Sequence, residues 1–375
     1  MAKKILFLTS TRADFGKLKS LIRVMDQEDD FDVYIFVTGM HLFPKYGFTV
    51  SEVATCGFRH IYHFINQRAN DSPDTILANT IRGLGNYMDS LKPDMLVIHG
   101  DRIEALAGAT VGALNNILVS HIEGGEVSGT IDESIRHSVS KLAHLHFVAN
   151  EDAKKRLIRM GEEKSNIYVI GSPDIDLMLS SELPNLDEVK RYYEIPFKDK
   201  YCLFVYHPVT TNLHNILNDF QEIMGAINDS GENYVMIYPN NDPGSDIIIE
   251  EIELYRKDPR FRIFSSVRFE SFLTLLKNCK FIIGNSSAGI REAPIYSVPS
   301  INIGNRQKNR FSYKTIVDVR ESREEILNAI NQIGRIKKLP SKYFGDGKST
   351  KRFVNILKDS GIWNTRLQKH FVDTR

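Results

Sequence analysis

The sequence predicts an α/β protein of two doubly wound domains, each a parallel sheet covered by helices. Three observations lead there. Short apolar runs bounded by polar turns alternate with longer stretches of helical spacing, the pattern of βαβ units. The alternation occurs in two separate series. Between them, Ser172 to Lys200 carries Pro173, Pro184 and Pro196 among many charges, without a strong strand pattern, and reads as the connection.

The first series places strands at Ile5–Thr9, Val33–Thr38, Met95–His99, Ile117–His121 and His146–Ala149. Each has the length and apolar content of a strand buried on both faces. Phe15–Met25 and Glu104–Leu114 lie between them with apolar residues at helical spacing. The second series places strands at Tyr201–Tyr206, Tyr234–Tyr238, Arg262–Phe264, Phe281–Gly284 and Ser300–Ile303. The turn-rich Tyr343-Phe-Gly-Asp-Gly-Lys348 then breaks the pattern, and Lys351–Trp363 resumes helical periodicity as a terminal helix expected to cross back onto the first domain. The expected boundaries are 1–171, a connection at 172–200, a second domain at 201–345 and the crossing helix within 346–375.

Composition narrows the functional classes. At 375 residues, 42% hydrophobic and 25% charged, the chain can bury about two cores. Lys+Arg at 48 against Asp+Glu at 47 leaves a formal charge of +1, so nothing global points to nucleic acid or to a membrane surface, and any anion has to be met locally. Cys56, Cys202 and Cys279 are isolated and form no C-x-x-C pair, which argues against a disulfide framework or a zinc ribbon and fits a reducing cytoplasm. The apolar start Ile5–Leu8 is too short for a signal peptide, and no run approaches the roughly 18 apolar residues of a membrane span.

The densest chemistry follows the fourth strand of the first series. His121-Ile-Glu-Gly-Gly-Glu-Val-Ser-Gly-Thr-Ile-Asp-Glu-Ser-Ile-Arg-His137 holds four carboxylates, two histidines and an arginine within seventeen residues. A strand that ends in a glycine-softened polar loop is where open α/β sheets bind ligands. His99-Gly-Asp101-Arg102-Ile-Glu104 occupies the equivalent place on the preceding strand, so adjacent parallel strands would gather Asp101, Glu123 and Glu126 around one crevice. Structural explanations exist for single residues: Asp101 with Glu104, and Thr130 with Glu133, have capping-box spacing, and Asp132 with Arg136 has the i,i+4 spacing of a helical ion pair. They do not explain why Gly124, Gly125 and Gly129 accompany the whole set. His137, His144 and His146 lack metal-ligand spacing, and the last two read as packing or hydrogen-bonding residues.

Anion-binding pieces complete the picture. Thr9-Ser-Thr-Arg-Ala-Asp-Phe-Gly-Lys17 joins a strand to a helix, where backbone amides together with Arg12 and Lys17 favour an anion; Asp14 serves equally well as a helix cap. The loop lacks the G-x-G-x-x-G spacing of a nicotinamide site. In the second series, His207-Pro208, Asn285-Ser-Ser-Ala-Gly289 and Asn305-Arg-Gln-Lys-Asn-Arg310 follow strand ends, and Glu292 can accept from both hydroxyls of a ribose. Together they describe a pyrophosphate-bearing nucleotide.

These motifs, with Gly171-Ser-Pro173, Asn302-Ile-Gly-Asn-Arg-Gln307 and the late Tyr-Phe-Gly-Asp-Gly element, resemble the hydrolysing UDP-N-acetylglucosamine 2-epimerases of sialic acid biosynthesis over nearly the whole chain. The resemblance implies a GT-B fold, two Rossmann-like domains with the active site in the cleft between them, and a homodimer or homotetramer. It implies that UDP-N-acetylglucosamine and water give N-acetylmannosamine and UDP through a 2-acetamidoglucal, without metal or nicotinamide. On this basis Asp101, Glu123, Glu126 and Asp132 form the acid/base and charge-stabilising set, with Glu133 and Arg136 in support. Arg12, His207, Ser286, Ser287 and Arg310 hold the diphosphate, with His207 close to the chemistry; Glu292 holds the ribose, and Lys17 and Arg306 join the UDP-binding set. Some relatives have His-Ile-His where this chain has His121-Ile-Glu123, which counts against Glu123 as the sole base. The motifs also suit an enzyme acting on UDP-2,4-diacetamido-2,4,6-trideoxyglucose, on the route to legionaminic acid. A glycosyltransferase, or a non-catalytic nucleotide-sugar binder, would use the same frame.

Overall fold

The computed structural model describes residues 2–127, 131–198, 200–210 and 212–373; Gly129 and Thr130, named above, lie outside them. Two compact units emerge: Met1–Glu126, Asp132–Ser180 and Tyr343–Arg375 in the first, and Val127–Ile131 and Ser181–Lys342 in the second.

The first unit contains β1 (Lys3–Thr9), β2 (Phe31–Val37), β3 (His60–His63), β4 (Met95–His99), β5 (Leu118–Ile122), β6 (Leu145–Val148) and β7 (Ile167–Val169). They form one sheet of order β3-β2-β1-β4-β5-β6-β7, and every pairing is parallel. Chain order reverses between β1 and β4, the switch point beside which doubly wound sheets bind ligands. Side-chain alternation along β1 supplies both faces. Ile5 and Phe7 pack with Leu18, Ile22 and Val97, whereas Leu6 and Leu8 pack with Phe36, Leu96, Ile98 and Ala105. The terminal helix Ser349–Leu357 adds Phe353, Val354 and Leu357 to the first of these clusters.

The second unit contains β8 (Cys202–Val205), β9 (Tyr234–Ile237), β10 (Phe261–Phe264), β11 (Ile282–Gly284), β12 (Ser300–Ile303) and β13 (Ile316–Val319). Its order β10-β9-β8-β11-β12-β13 repeats that of the first sheet, again all parallel. Phe204, Phe220, Met236 and Ile283 fill one side, and Leu203, Val235, Leu276 and Ile282 the other.

β3, β7 and β13 fall outside the expected strands. All three are short sheet edges, and β3 and β13 are largely uncovered by side-chain packing, so they lack the unbroken apolar run that betrays a central strand. The segment read as a connection contains two helices, Pro173–Met178 in the first unit and Leu186–Tyr192 in the second. Each begins where its sequence allows: Pro173 occupies a first-turn position that needs no N–H, and Asn185 caps the Glu188 amide at 2.9 Å. All three cysteines are free, and among the described residues no helix is long and apolar enough to cross a membrane.

A buried polar knot lies beside β6. Glu162 is 2% exposed and meets His146 at 3.0 Å, Lys141 at 2.7 Å and Lys369 at 2.5 Å. Burial alone would raise its pKa, but the hydrogen bond and charge of His146, followed by Lys369 and Lys141, outweigh that and hold it at about 2. A carboxylate depressed in the folded state stabilises above its ordinary value near 4.5 and loses that contribution as pH falls towards 2. Glu162→Gln is therefore expected to cost on the order of 3 kcal/mol at neutral pH. Melting curves of the two proteins should converge as pH drops below 4.5; a difference constant with pH would contradict this origin.

Candidate functional site

In the first unit the carboxyl ends of β1, β4 and β5 bring the predicted residues together. β4 and β5 pair in parallel with His99 opposite Ile122, so Asp101 and Glu123 leave adjacent strand ends. The backbone turns sharply there: Glu123 has φ +62°, a left-handed conformation that a side chain adopts only when its surroundings demand it. The demand is visible. Its carboxylate, buried at 2% exposure, accepts from Ser172 Oγ and lies 3.1 Å from His99 Nε2 and 3.6 Å from Lys17 Nζ, while its carbonyl accepts from Arg136 Nη1 at 2.8 Å. Arg136 Nη2 donates to Asp101 Oδ2, so one buried guanidinium joins the ends of β4 and β5.

Lys17 also pairs with Asp174 at 3.1 Å. The lysine read as an anion ligand is thus a buried cation between two buried carboxylates, held in the fold's own charge network. Arg12 is likewise engaged, by Glu52 through both Nε, at 3.0 Å, and Nη2. Asp14 performs the capping role: it forms a capping box with Thr11, and its Oδ2 also accepts from Ser10 N–H at 2.7 Å and Thr9 Oγ1 at 3.1 Å. Burial raises its pKa, more than the nearby His99 and these hydrogen bonds lower it.

One structural explanation fails, and the capping box of Thr130 with Glu133 falls outside the described residues. The helix Ile103–Leu114 starts at Arg102 without a side-chain cap, so Asp101 is not spent on capping it. Its partner is Arg136, which lies in the second turn of the helix Ile131–Leu142. Asp132 and Glu133 stand in the first turn, half-buried, and Glu133 is 3.6 Å from His137. Glu126 is 3% exposed, at the end of the β5 loop.

The histidines divide by hydrogen bonding. His121 Nε2 faces Gly100 O at 2.8 Å, so it carries the proton, and Nδ1 accepts from Ser140 Oγ at 3.1 Å. Burial lowers its pKa to about 3, and the ring is a neutral brace under the Asp101 loop. His144 is braced similarly, accepting from Val119 N–H at 3.0 Å and donating to Leu367 O at 2.9 Å. His41, lowered by burial to about 3, bridges Thr9 and Thr49.

In the second unit, the loops after β8, β11 and β12 are tied by Asn285. Its side chain accepts from His207 N–H at 2.7 Å and donates to His207 O at 2.8 Å; its carbonyl accepts from Gln307 Nε2 at 2.9 Å and Arg306 Nη1 at 3.3 Å. Arg310 Nη1 donates to Gln307 Oε1 at 2.9 Å. The close approach requires Gly284: at φ +135° a Cβ there would stand 2.0 Å from Val205 O. Ser286 caps the short 3-10 turn Ser287–Gly289, with Pro294 following too soon for a longer helix interior. Glu292 is buried just beyond, at 3% exposure, and Ser286 and Ser287 are half-buried. His207 Nδ1 accepts from Asn240 N–H at 3.1 Å, which leaves the proton of the neutral ring on Nε2.

Sequence reasoning assigned no role to His99, Ser172, Asp174 or Asn285. Ser172 and Asp174 carried a signal, since Gly171-Ser-Pro-Asp follows β7 as another strand-to-helix turn, but the prolines directed attention to a connection.

Known proteins resemble this chain in sequence and in fold. The model of a family described as UDP-N-acetylglucosamine 2-epimerase matches residues 23–358. A UDP-N-acetylglucosamine 2-epimerase of Neisseria meningitidis serogroup B is 48% identical over 375 residues, covering 99% of both chains. A UDP-N,N'-diacetylbacillosamine 2-epimerase (hydrolyzing) of Legionella pneumophila is 34% identical, covering 98% of this chain and 99% of its own. In fold, the crystal structure of Methanocaldococcus jannaschii UDP-GlcNAc 2-epimerase in complex with UDP-GlcNAc and UDP aligns with a TM-score of 0.79 at 23% identity, over 94% of this chain and 99% of that one. Two parallel-sheet α/β units of the GT-B type, a family match across most of the chain and near-half identity to a full-length relative place this protein in the UDP-N-acetylglucosamine 2-epimerase family.

Proposed function

We propose that this protein is a hydrolysing 2-epimerase that converts UDP-N-acetylglucosamine and water to N-acetylmannosamine and UDP, as a step towards sialic acid. The observation that carries the reading is the carboxylate and cation cluster where β4 and β5 end, in a chain 48% identical to a relative named for that sugar nucleotide. The Legionella relative, named as hydrolyzing, supports the hydrolytic outcome.

The C2 proton of an N-acetylated sugar is weakly acidic, so departure of UDP has to run ahead. The C1–O bond breaks with its electron pair going to UDP, and positive charge develops at C1 and the ring oxygen. Buried carboxylates stabilise that charge. The C2–H bond then gives its proton to a base and its electrons to a C1=C2 double bond. Reprotonation at C2 from the other face and addition of water at C1 complete the inversion. Glu123, already engaged by Lys17, His99 and Ser172, is suited to fixed electrostatic stabilisation, which leaves proton transfer to Asp101, Glu126 and Asp132 with Glu133 in support. Arg136 orients Asp101. His207, through Nε2–H, Ser286, Ser287, Arg306 and Arg310 would meet the diphosphate, and Glu292 the ribose, while Lys17, paired with Glu123 and Asp174, and Arg12, paired with Glu52, serve the fold's own charge network.

The name of the Legionella relative favours one second reading, in which the sugar carries a 4-acetamido group and a 6-methyl. Turnover of each UDP-sugar, with UDP and released sugar quantified, separates the readings. Free N-acetylmannosamine with one UDP per sugar is the expected result; intact UDP-N-acetylmannosamine would contradict hydrolysis, and turnover of the diacetamido sugar alone would move the substrate.

Two substitutions divide the roles. Asp101→Asn should lower kcat on the order of 10²–10³-fold, while calorimetry shows UDP binding unchanged; near-wild-type kcat would remove Asp101 from the reaction. Glu292→Ala should weaken UDP roughly tenfold, by loss of a charged hydrogen-bond acceptor, with kcat at saturation largely retained; unchanged UDP affinity would refute the ribose contact.

A further inference from the structure

The last residues of the described chain grip the helix that carries Arg136. Lys369 Nζ donates to Ser140 O at 3.3 Å, Lys141 O at 2.8 Å and Ala143 O at 2.6 Å, and pairs with Glu162 at 2.5 Å. Those carbonyls belong to the C-terminal end of the helix Ile131–Leu142, where a helix leaves its last acceptors unsatisfied and its dipole attracts a cation. A lysine from more than 200 residues away does the capping. The seat is specific along the tail. Leu367 O accepts from His144, Lys141 Nζ lies 5.9 Å from the centre of the Phe371 ring, and Gly161, at φ +78°, leaves room where a Cβ would stand 3.1 Å from Val372 O and 3.3 Å from Phe371 Cε2.

From Ser140 a continuous set of bonds leads to the catalytic cluster. Its carbonyl is held by Lys369 and its hydroxyl by His121 Nδ1; His121 Nε2 donates to Gly100 O, next to Asp101; and Arg136, one turn earlier on the same helix, grips Asp101. We propose that Lys369 is a positioning residue for the reaction: by capping the helix Ile131–Leu142 it sets the height of Arg136, and so the placement of Asp101. The proposal rests on the epimerase reading above. Without the clamp the helix end is free to shift, and small displacements of a catalytic group cost rate far more than binding.

The test compares wild type with Lys369→Met, Lys369→Arg and Gly161→Ala in steady-state turnover of UDP-N-acetylglucosamine, with UDP affinity by calorimetry and folding by thermal melts. Wild-type turnover establishes the underlying reading, and its absence would sink that reading rather than the clamp. Lys369→Met is expected to lower kcat on the order of tenfold or more, with UDP affinity unchanged and KM little moved. Lys369→Arg should recover part of the loss, because a guanidinium keeps the charge and the donors. Gly161→Ala presses a Cβ against Val372 O and Phe371 from a left-handed backbone position, shifting the tail without removing a charge, and should reproduce part of the kcat defect even if Lys369→Met proves too unstable to assay. Folded Lys369→Met or Gly161→Ala protein with wild-type kcat would overturn the proposal, as would a loss confined to melting temperature.

Discussion

The site in the first unit depends on one arrangement of charge: a lysine, Lys17, buried between Glu123 and Asp174. Removing three ionised groups from water is costly, and the cost is offset only when each finds a partner and its remaining hydrogen bonds are met. Ser172 and His99 complete Glu123, and Arg136 takes its carbonyl. That anchoring explains why a non-glycine residue accepts φ +62° at the end of β5. Once Glu123 is fixed, the loop to Glu126 has a defined start, and Arg136 ties its own helix to that start through the Glu123 carbonyl. Charge pairing therefore comes first, and the placement of the neighbouring carboxylates is built upon it.

The second unit uses a different device. Asn285, fully buried, satisfies both backbone groups of His207 with one amide. Neutral hydrogen bonds of Asn285 join three strand ends, and Arg306 donates to the Asn285 carbonyl while Arg310 donates to Gln307 beside it. The contrast matches the tasks proposed for the units. Stabilising a developing cation calls for fixed negative charge, whereas holding a diphosphate calls for hydrogen-bond donors.

Much of this was legible in the sequence, for identifiable reasons. Central strands such as Ile117–His121 announce themselves because both faces are buried, and Asp101 and Glu123 stand in motifs at strand ends that the parallel register then aligns. Edge strands such as His60–His63 were not legible, since half-exposed residues carry no distinctive pattern. Lys17 illustrates the deeper limit. Its position in a loop-to-helix segment suggested an anion ligand, but the anions it meets are Glu123 and Asp174, which only tertiary folding brings to it. Likewise nothing local in the tail reveals that Lys369 caps the helix Ile131–Leu142.

In the proposed reaction the carboxylates gathered by this network move the C2 proton while UDP departs. Proton NMR of turnover of UDP-N-acetylglucosamine in deuterated water tests it most directly. The account predicts N-acetylmannosamine with deuterium at C2, formed in step with UDP. Product that retains its original C2 proton would contradict it, because epimerisation would then have proceeded without the proton exchange that these carboxylates are placed to perform.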